Sequence, residues 1–237
     1  MTKWETEIST SKQEGETVIR GRKLEEVMEM DFAKSIWLIL KAETPSEDEE
    51  ELFQMILSSC IDHGLGNPST VAARTIQSGG NKMNTSVAGG ILAQGEKHGG
   101  AGEKAMELLQ SDKEAKKIVN EYLEEGKKIP GLGHKIYTEK DPRTDKIFEK
   151  ARDLGLDGKN VQKMEKVREE FEKQKTRLVI NIDGAIAAVM SDMGWEPEHG
   201  KGIFIIGRTP GLVAHVSEEM DEEPFRRQES EYTGEEP

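Results

Sequence analysis

Cysteine occurs once in the 237 residues, at Cys60. A single cysteine allows no intrachain disulfide and no thiolate cage for a metal. Basic excess is also lacking: 33 Lys and Arg stand against 46 Asp and Glu, a formal net charge of −13. That balance lacks the basic footprint that nonspecific nucleic-acid binding requires. No apolar run approaches the roughly 18 residues of a membrane span, and the opening MTKWETEIST has no signal-peptide core. The expectation is a soluble cytoplasmic protein with neither nucleic acid nor membrane as partner. The sequence also has no GxSxG elbow, no GxxxxGK[ST] phosphate loop and no GxGxxG turn, which removes support for hydrolase, nucleoside-triphosphatase and dinucleotide-binding readings.

What is present is helical periodicity. Thr6–Ser9 and Thr17–Arg20 read as a short N-terminal hairpin around a polar loop. Val27, Met28, Phe32, Ile36 and Leu40 then recur at helical spacing, which predicts one helix over 24–42. Ser46 caps a second helix bearing Leu52, Met55, Ile56 and Ile61. Gly pairs at 79–80, 89–90 and 99–100 lie in a stretch rich in small residues, either a tightly packed heart or subunit interface, or simply helix ends. Further helices are expected over 103–109, 112–125, 144–154, 161–176 and 212–219, with a strongly apolar segment over 178–193. The tail, rich in Asp and Glu, is not expected to pack by itself. The fold class is all-α.

Three of the five histidines sit in glycine-rich contexts that look functional: Asp62-His63-Gly64, Lys97-His98-Gly99-Gly100 and Gly131-Leu132-Gly133-His134. None has the i, i+4 partner of a helical zinc site, so no metal is expected. Asp183 stands alone in LVINIDGAIAAVM. A carboxylate among apolar neighbours has a raised pKa and suits a general base, or it caps the following helix. Arg208 follows the run GIFIIG, where its guanidinium needs a carboxylate: a ligand's, or one inside the protein.

The words IDHGLGNPSTVAAR, KHGGAGE, PGLGHKIYTEKDPR, INIDGAIAAVMSDMG and GIFIIGRTPGLVAHVSEE occur in this order and resemble the motifs of the citrate synthase superfamily. The N-terminal stretch through ELF resembles the start of such enzymes, and the large-domain segment that full-length citrate synthases carry before IDHGLGNPST is missing. The short form resembles citryl-CoA lyases and the lyase module of ATP-citrate lyase. The resemblance implies a citrate synthase-like fold with a reduced large domain (1–101 and 177–237) and a small helical domain (102–176) that closes over substrate. It also implies a homodimer.

It further implies roles. His134 would take the 3-hydroxyl proton of citryl-CoA, or polarise the oxaloacetate carbonyl in reverse. His98 would hydrogen-bond the thioester oxygen of the acetyl-CoA enol, and Asp183 would move the proton at its carbon. A carboxylate alone is too weak a base for a free enolate, so the hydrogen bond at oxygen must supply much of the stabilisation. His63, Arg143 and Arg208 match substrate-binding positions. Relatives carry an Arg-Pro pair near the end that reaches the partner subunit's site; here Glu223 precedes Pro224, and Arg226 or Arg227 would substitute. Pro130, Gly131, Leu132, Gly133 and Lys135 would line coenzyme A, with Lys127 and Lys128 near its phosphates. Coenzyme A would be part of the substrate, with no permanently bound cofactor. Citryl-CoA cleavage to acetyl-CoA and oxaloacetate is the leading expectation. The alternatives are a compact citrate synthase releasing coenzyme A, and a non-catalytic subunit that binds acyl-CoA or a partner.

Overall fold

Arg20 and Gly21 both adopt positive φ, 46° and 77°, and the chain doubles back there. The computed structural model describes residues 3–11, 15–134, 137–225 and 231–235. It opens on three short antiparallel strands where two were expected: β1 (Ser9–Ser11), β2 (Thr17–Ile19) and β3 (Arg22–Lys23). Thr10 faces Val18 and Ile19 faces Arg22. The Arg20–Gly21 reversal supplies the third strand, and pairing begins at Ser9, so the expected 6–9 strand lies too early.

Helices follow: α1 (Leu24–Met28), α2 (Phe32–Lys41), α3 (Glu47–Ser59), α4 (Pro68–Ser78), α5 (Met83–Leu92), α6 (Ala101–Gln110), α7 (Ala115–Glu124), α8 (Pro142–Asp153), α9 (Lys159–Glu172), α10 (Ile182–Asp192) and α11 (Glu198–Glu219). The single helix expected over 24–42 is two. Asp31 takes an extended backbone, ψ 147°, which stops α1 and restarts the turn as α2. The restart shifts the phase, so Met28 and Phe32 point outward while Ala33, Ile36, Trp37 and Leu38 are buried. Ser46 does cap α3, with Glu49 completing a reciprocal capping box. Ile61 lies beyond that helix and is exposed. The largest difference is α11, 22 residues long with Pro210 inside it. The apolar run before Arg208 is helical because both ends of α11 are packed against the core, which overrides the lost N–H of the proline.

Glycine pairs divide between the two expectations. Gly79 and Gly80 end α4, whereas Gly90 lies within α5 against Ala73, Ser69 and Leu212. One continuous core runs from Ala33 to Ile203, and a smaller cluster of Ala73, Leu212 and Val216 joins α4 to α11. Within the core Phe53 stacks on Trp195 while Trp37 meets both edge-on, with ring centroids 4.8–5.3 Å apart, and Lys41 Nζ lies over both indoles while donating to the Met193 carbonyl. In α10 every residue from Gly184 to Ser191 is buried. The apolar residues before it are extended, with Ile180 bridged to Leu132.

Candidate active site

Asn181 begins α10: its side-chain oxygen accepts the Gly184 N–H at 3.1 Å. Asp183 is therefore not the cap but a first-turn residue, half-buried, with no hydrogen-bond partner among the described residues. Burial pushes its carboxyl pKa up, Arg143 and Arg208 pull it back in part, and Asp141 adds to the rise.

The turn carrying His134 is pinned to the segment that leads into α10. Gly133 N–H donates to the Val179 carbonyl (2.8 Å), Asn181 N–H to the Gly131 carbonyl (3.0 Å) and Asn181 Nδ2 to the Gly133 carbonyl (2.8 Å). Pro130 and Gly133 are half-buried, while Gly131 and Leu132 are buried. Tyr137 N–H donates to His134 Nδ1 at 3.1 Å, so the neutral ring carries its hydrogen on Nε2. Burial lowers the His134 pKa; nearby Asp141 opposes this, and Arg143 and His63 reinforce it. Its ring lies 6.5 Å from that of His63, which is exposed in the loop between α3 and α4.

His98 precedes α6, with Nε2 2.8 Å from Ser69 Oγ. Ser69 Oγ in turn lies 2.7 Å from Asn67 Oδ1, which also accepts the Thr70 N–H. Burial, Arg208 and His63 lower the His98 pKa, so both imidazoles are neutral near pH 7. Phe204 packs edge-on against His98, and the Arg208 guanidinium lies 5.1 Å from the centre of the Phe204 ring.

Arg208 is buried in α11. Its Nε donates to the Cys60 carbonyl at 2.7 Å, Nη1 is buried with no hydrogen-bond partner, and no carboxylate of the described residues makes a salt bridge with it. An unpartnered guanidinium nitrogen inside the protein is an anion-binding feature. Arg143, in the first turn of α8, is held by Asp141 through two bonds, Nε to Oδ1 at 3.0 Å and Nη2 to Oδ2 at 2.8 Å.

His63, His98, His134, Arg143, Asp183 and Arg208 thus converge from six separate segments and act on one another electrostatically. Lys135, Arg226 and Arg227 lie outside the described residues. Lys127 and Lys128 are exposed, Lys127 paired with Glu125. Sequence reasoning missed Asp141, Ser69, Asn67, Tyr137 and Phe204. Asp141 and Asn67 both gave a signal, since Asp or Asn before Pro at a helix start reads as a cap, and they do accept the Arg143 and Thr70 N–H groups.

These side chains sit on a mainly helical scaffold of the citrate synthase-like class, with two neutral histidines and a carboxyl of raised pKa beside Arg143 and Arg208. Residues 19–228 match the model of "Citrate synthase, C-terminal domain", and the chain belongs to the citrate synthase family. The citrate synthase of Haloferax volcanii is 30% identical over 213 residues, 87% of this chain and 56% of that protein. The chain thus spans about half the length of the curated relatives it matches. Among solved structures, the citryl-CoA lyase of Hydrogenobacter thermophilus superposes with a TM-score of 0.93 at 46% identity, covering 99% of this chain and 96% of that one. The ATP citrate lyase of Methanothrix soehngenii, solved with citrate and coenzyme A, superposes with a TM-score of 0.80 at 23% identity over 98% of this chain and 42% of its own, a likeness of fold.

Proposed function

We propose that the protein is a citryl-CoA lyase, cleaving citryl-CoA to acetyl-CoA and oxaloacetate. The observation that carries this reading is the end-to-end likeness to the Hydrogenobacter lyase, 99% of one chain against 96% of the other, where the matched synthase extends well beyond the match.

In cleavage the 3-hydroxyl loses its proton, the bond between C3 and the acetyl methylene breaks, the hydroxyl carbon becomes the oxaloacetate carbonyl, and the electron pair leaves as the enol of acetyl-CoA. The methylene carbon must then gain a proton. Burial raises the Asp183 pKa, which favours the protonated carboxyl that the step requires as its proton donor. Neutral His98 hydrogen-bonds the thioester oxygen, where charge develops. His134, with its hydrogen on Nε2, meets the C3 oxygen as a donor, which suits polarising a carbonyl in the condensing direction. To accept the hydroxyl proton in cleavage the ring exchanges tautomer, releasing the Tyr137 N–H. Arg208, Arg143 and His63 bind the two carboxylates, with Arg226 or Arg227 supplied across a homodimer. Pro130, Gly131, Leu132, Gly133 and Lys135 line coenzyme A, which enters as part of the substrate. The 102–176 helices close over it as a small domain in a cytoplasmic enzyme. The exposed side chains of Leu92 and Val213, on the α5 and α11 faces, support the dimer.

The second reading is a compact synthase, favoured by the curated relatives, which are named citrate or 2-methylcitrate synthases. The test is to incubate the protein with synthetic citryl-CoA and follow oxaloacetate and free coenzyme A, beside Asp183→Ala. Oxaloacetate without free coenzyme A, lost in the variant, supports the lyase. Citrate with free coenzyme A makes it a synthase. Neither product above the variant's background overturns both and favours a binding subunit.

A further inference from the structure

The loop that carries His63 is held by one face of α11. Gly207, Gly211 and His215 recur every four residues along that face, so they line up as a stripe. A side chain on Gly207 would lie 2.8 Å from Cys60 Cβ, and one on Gly211 would run into the Ile61 carbonyl. The helix backbone therefore lies directly under residues 60–62. Arg208 fastens the loop at the Cys60 carbonyl. His215 fastens it again two residues on, with Nε2 3.0 Å from Asp62 Oδ1.

Asp62 uses its other oxygen to accept the Gly64 N–H at 2.8 Å. Its carboxylate therefore spans the turn at His63: one oxygen closes the turn from Asp62 to Gly64, and the other ties that turn to α11. Gly64 has φ +70°, and the Asn67 side-chain amide donates to its carbonyl at 2.6 Å. The far side of His215 makes no hydrogen bond. Its Nδ1 is 3.9 Å from Glu218 Oε2, and Glu218 and Glu219 both bind Arg74 of α4. His63 itself is exposed, so its direction is set by this turn and not by burial of its ring.

We propose that His215, acting through Asp62, is a positioning residue that fixes the His63 turn relative to Arg208, so that two substrate-binding side chains are registered from a single helix face. This rests on the reading of His63 and Arg208 as carboxylate ligands. His215 itself touches no substrate; its effect is on binding, through the aim of another side chain.

The test compares His215→Ala, His215→Gln and Asp62→Ala, singly and with His215→Ala combined with Asp62→Ala. Gln keeps a donor that reaches Asp62. His215→Ala is expected to raise KM for citryl-CoA about tenfold with kcat changed less than threefold, and the Gln variant to recover most of that loss. The double variant should be no worse than the more affected single one, because the pair acts as a unit. Hydrogen exchange at the Gly64 amide should quicken at least tenfold in His215→Ala, a readout independent of turnover. If KM and Gly64 exchange match the parent in a folded His215→Ala protein, the proposal is overturned. Loss of thermal stability with KM unchanged also overturns it, leaving His215 a structural residue. A parent protein inert toward citryl-CoA defeats the functional reading alone, and Gly64 exchange still decides whether His215 holds the turn.

Discussion

Gly131 and Gly184 meet backbone to backbone: a Cβ on Gly184 would lie 2.5 Å from the Gly131 carbonyl oxygen, and one on Gly131 would lie 2.7 Å from the Gly184 Cα. This contact fixes the distance between His134, three residues beyond Gly131, and Asp183, beside Gly184. Gly131 also has φ +84°, which side-chain-bearing residues adopt only with strain. Gly184→Ala is therefore expected to cost about 1–3 kcal/mol by overpacking, a fall in Tm of roughly 2–4 °C per kcal/mol in a chain of this size. It should also spread His134 from Asp183, and a shift of about 1 Å in catalytic geometry costs on the order of a hundredfold in rate. Thermal melting with citryl-CoA kinetics checks both. A stable variant with parental kcat would show that the contact does not set the site.

Asp183 gives a pH signature. Folding raises its pKa, so the native chain keeps a proton that the unfolded chain loses above about pH 3.9. The group costs no stability below that pH, and stability falls as pH rises from there through the folded value. Asp183→Asn removes the ionisation. Its urea midpoint should exceed that of the parent near pH 8, with the difference closing toward pH 4. Cleavage should fall by about 10²–10⁴-fold in the variant. Equal pH dependence of stability in the two proteins would count against a raised Asp183 pKa.

Much of this was legible in the sequence where a side chain announces its own chemistry. His63, His98 and His134 in their glycine-rich contexts, the isolated Asp183 and the arginine after an apolar run all name groups whose surroundings are unusual. The resemblance ordered them into one family, and the match over residues 19–228 bears that out. What stayed hidden depends on tertiary contact. Asn67 and Ser69 carry a cap signal in Asn-Pro-Ser but nothing that ties them to a histidine, and only the fold brings His98 to them. The division of 24–42 into α1 and α2 has no Pro or Gly to mark it, since Asp31 breaks the helix by backbone conformation. The opposite error occurred at Pro210, where a strong breaker sits inside a helix held by packing at both ends.

Arg208 combines burial with an unpartnered Nη1, so its loss should appear in binding. A hydrogen bond to a charged group contributes about 1.5–3 kcal/mol, or roughly ten- to 150-fold. Arg208→Gln is expected to raise KM for citryl-CoA within that range. Arg208→Lys should not restore it, because an ammonium cannot hold the Cys60 carbonyl and a carboxylate with the same planar fork. Full rescue by lysine would mean that only charge matters at this position.

The Ser69 hydroxyl has one hydrogen and two acceptors within reach, Asn67 Oδ1 at 2.7 Å and His98 Nε2 at 2.8 Å. When the hydrogen goes to Asn67, Ser69 receives the His98 Nε2 hydrogen and leaves Nδ1 an acceptor. When it goes to His98, Nδ1 carries the hydrogen and the ring can donate to a thioester oxygen. Thr70 N–H and Thr70 Oγ1 also donate to Asn67 Oδ1, so that oxygen is satisfied without Ser69, and the hydroxyl is free to turn to the imidazole when substrate arrives. Ser69→Ala removes this choice. It should lower kcat about ten- to a hundredfold with little change in KM, because the tautomer matters where charge builds on the enol oxygen. Ser69→Thr keeps the hydroxyl and should recover activity if the buried site admits the methyl. A Ser69→Ala protein with parental kcat would show that His98 reaches its donating tautomer without help from the hydroxyl.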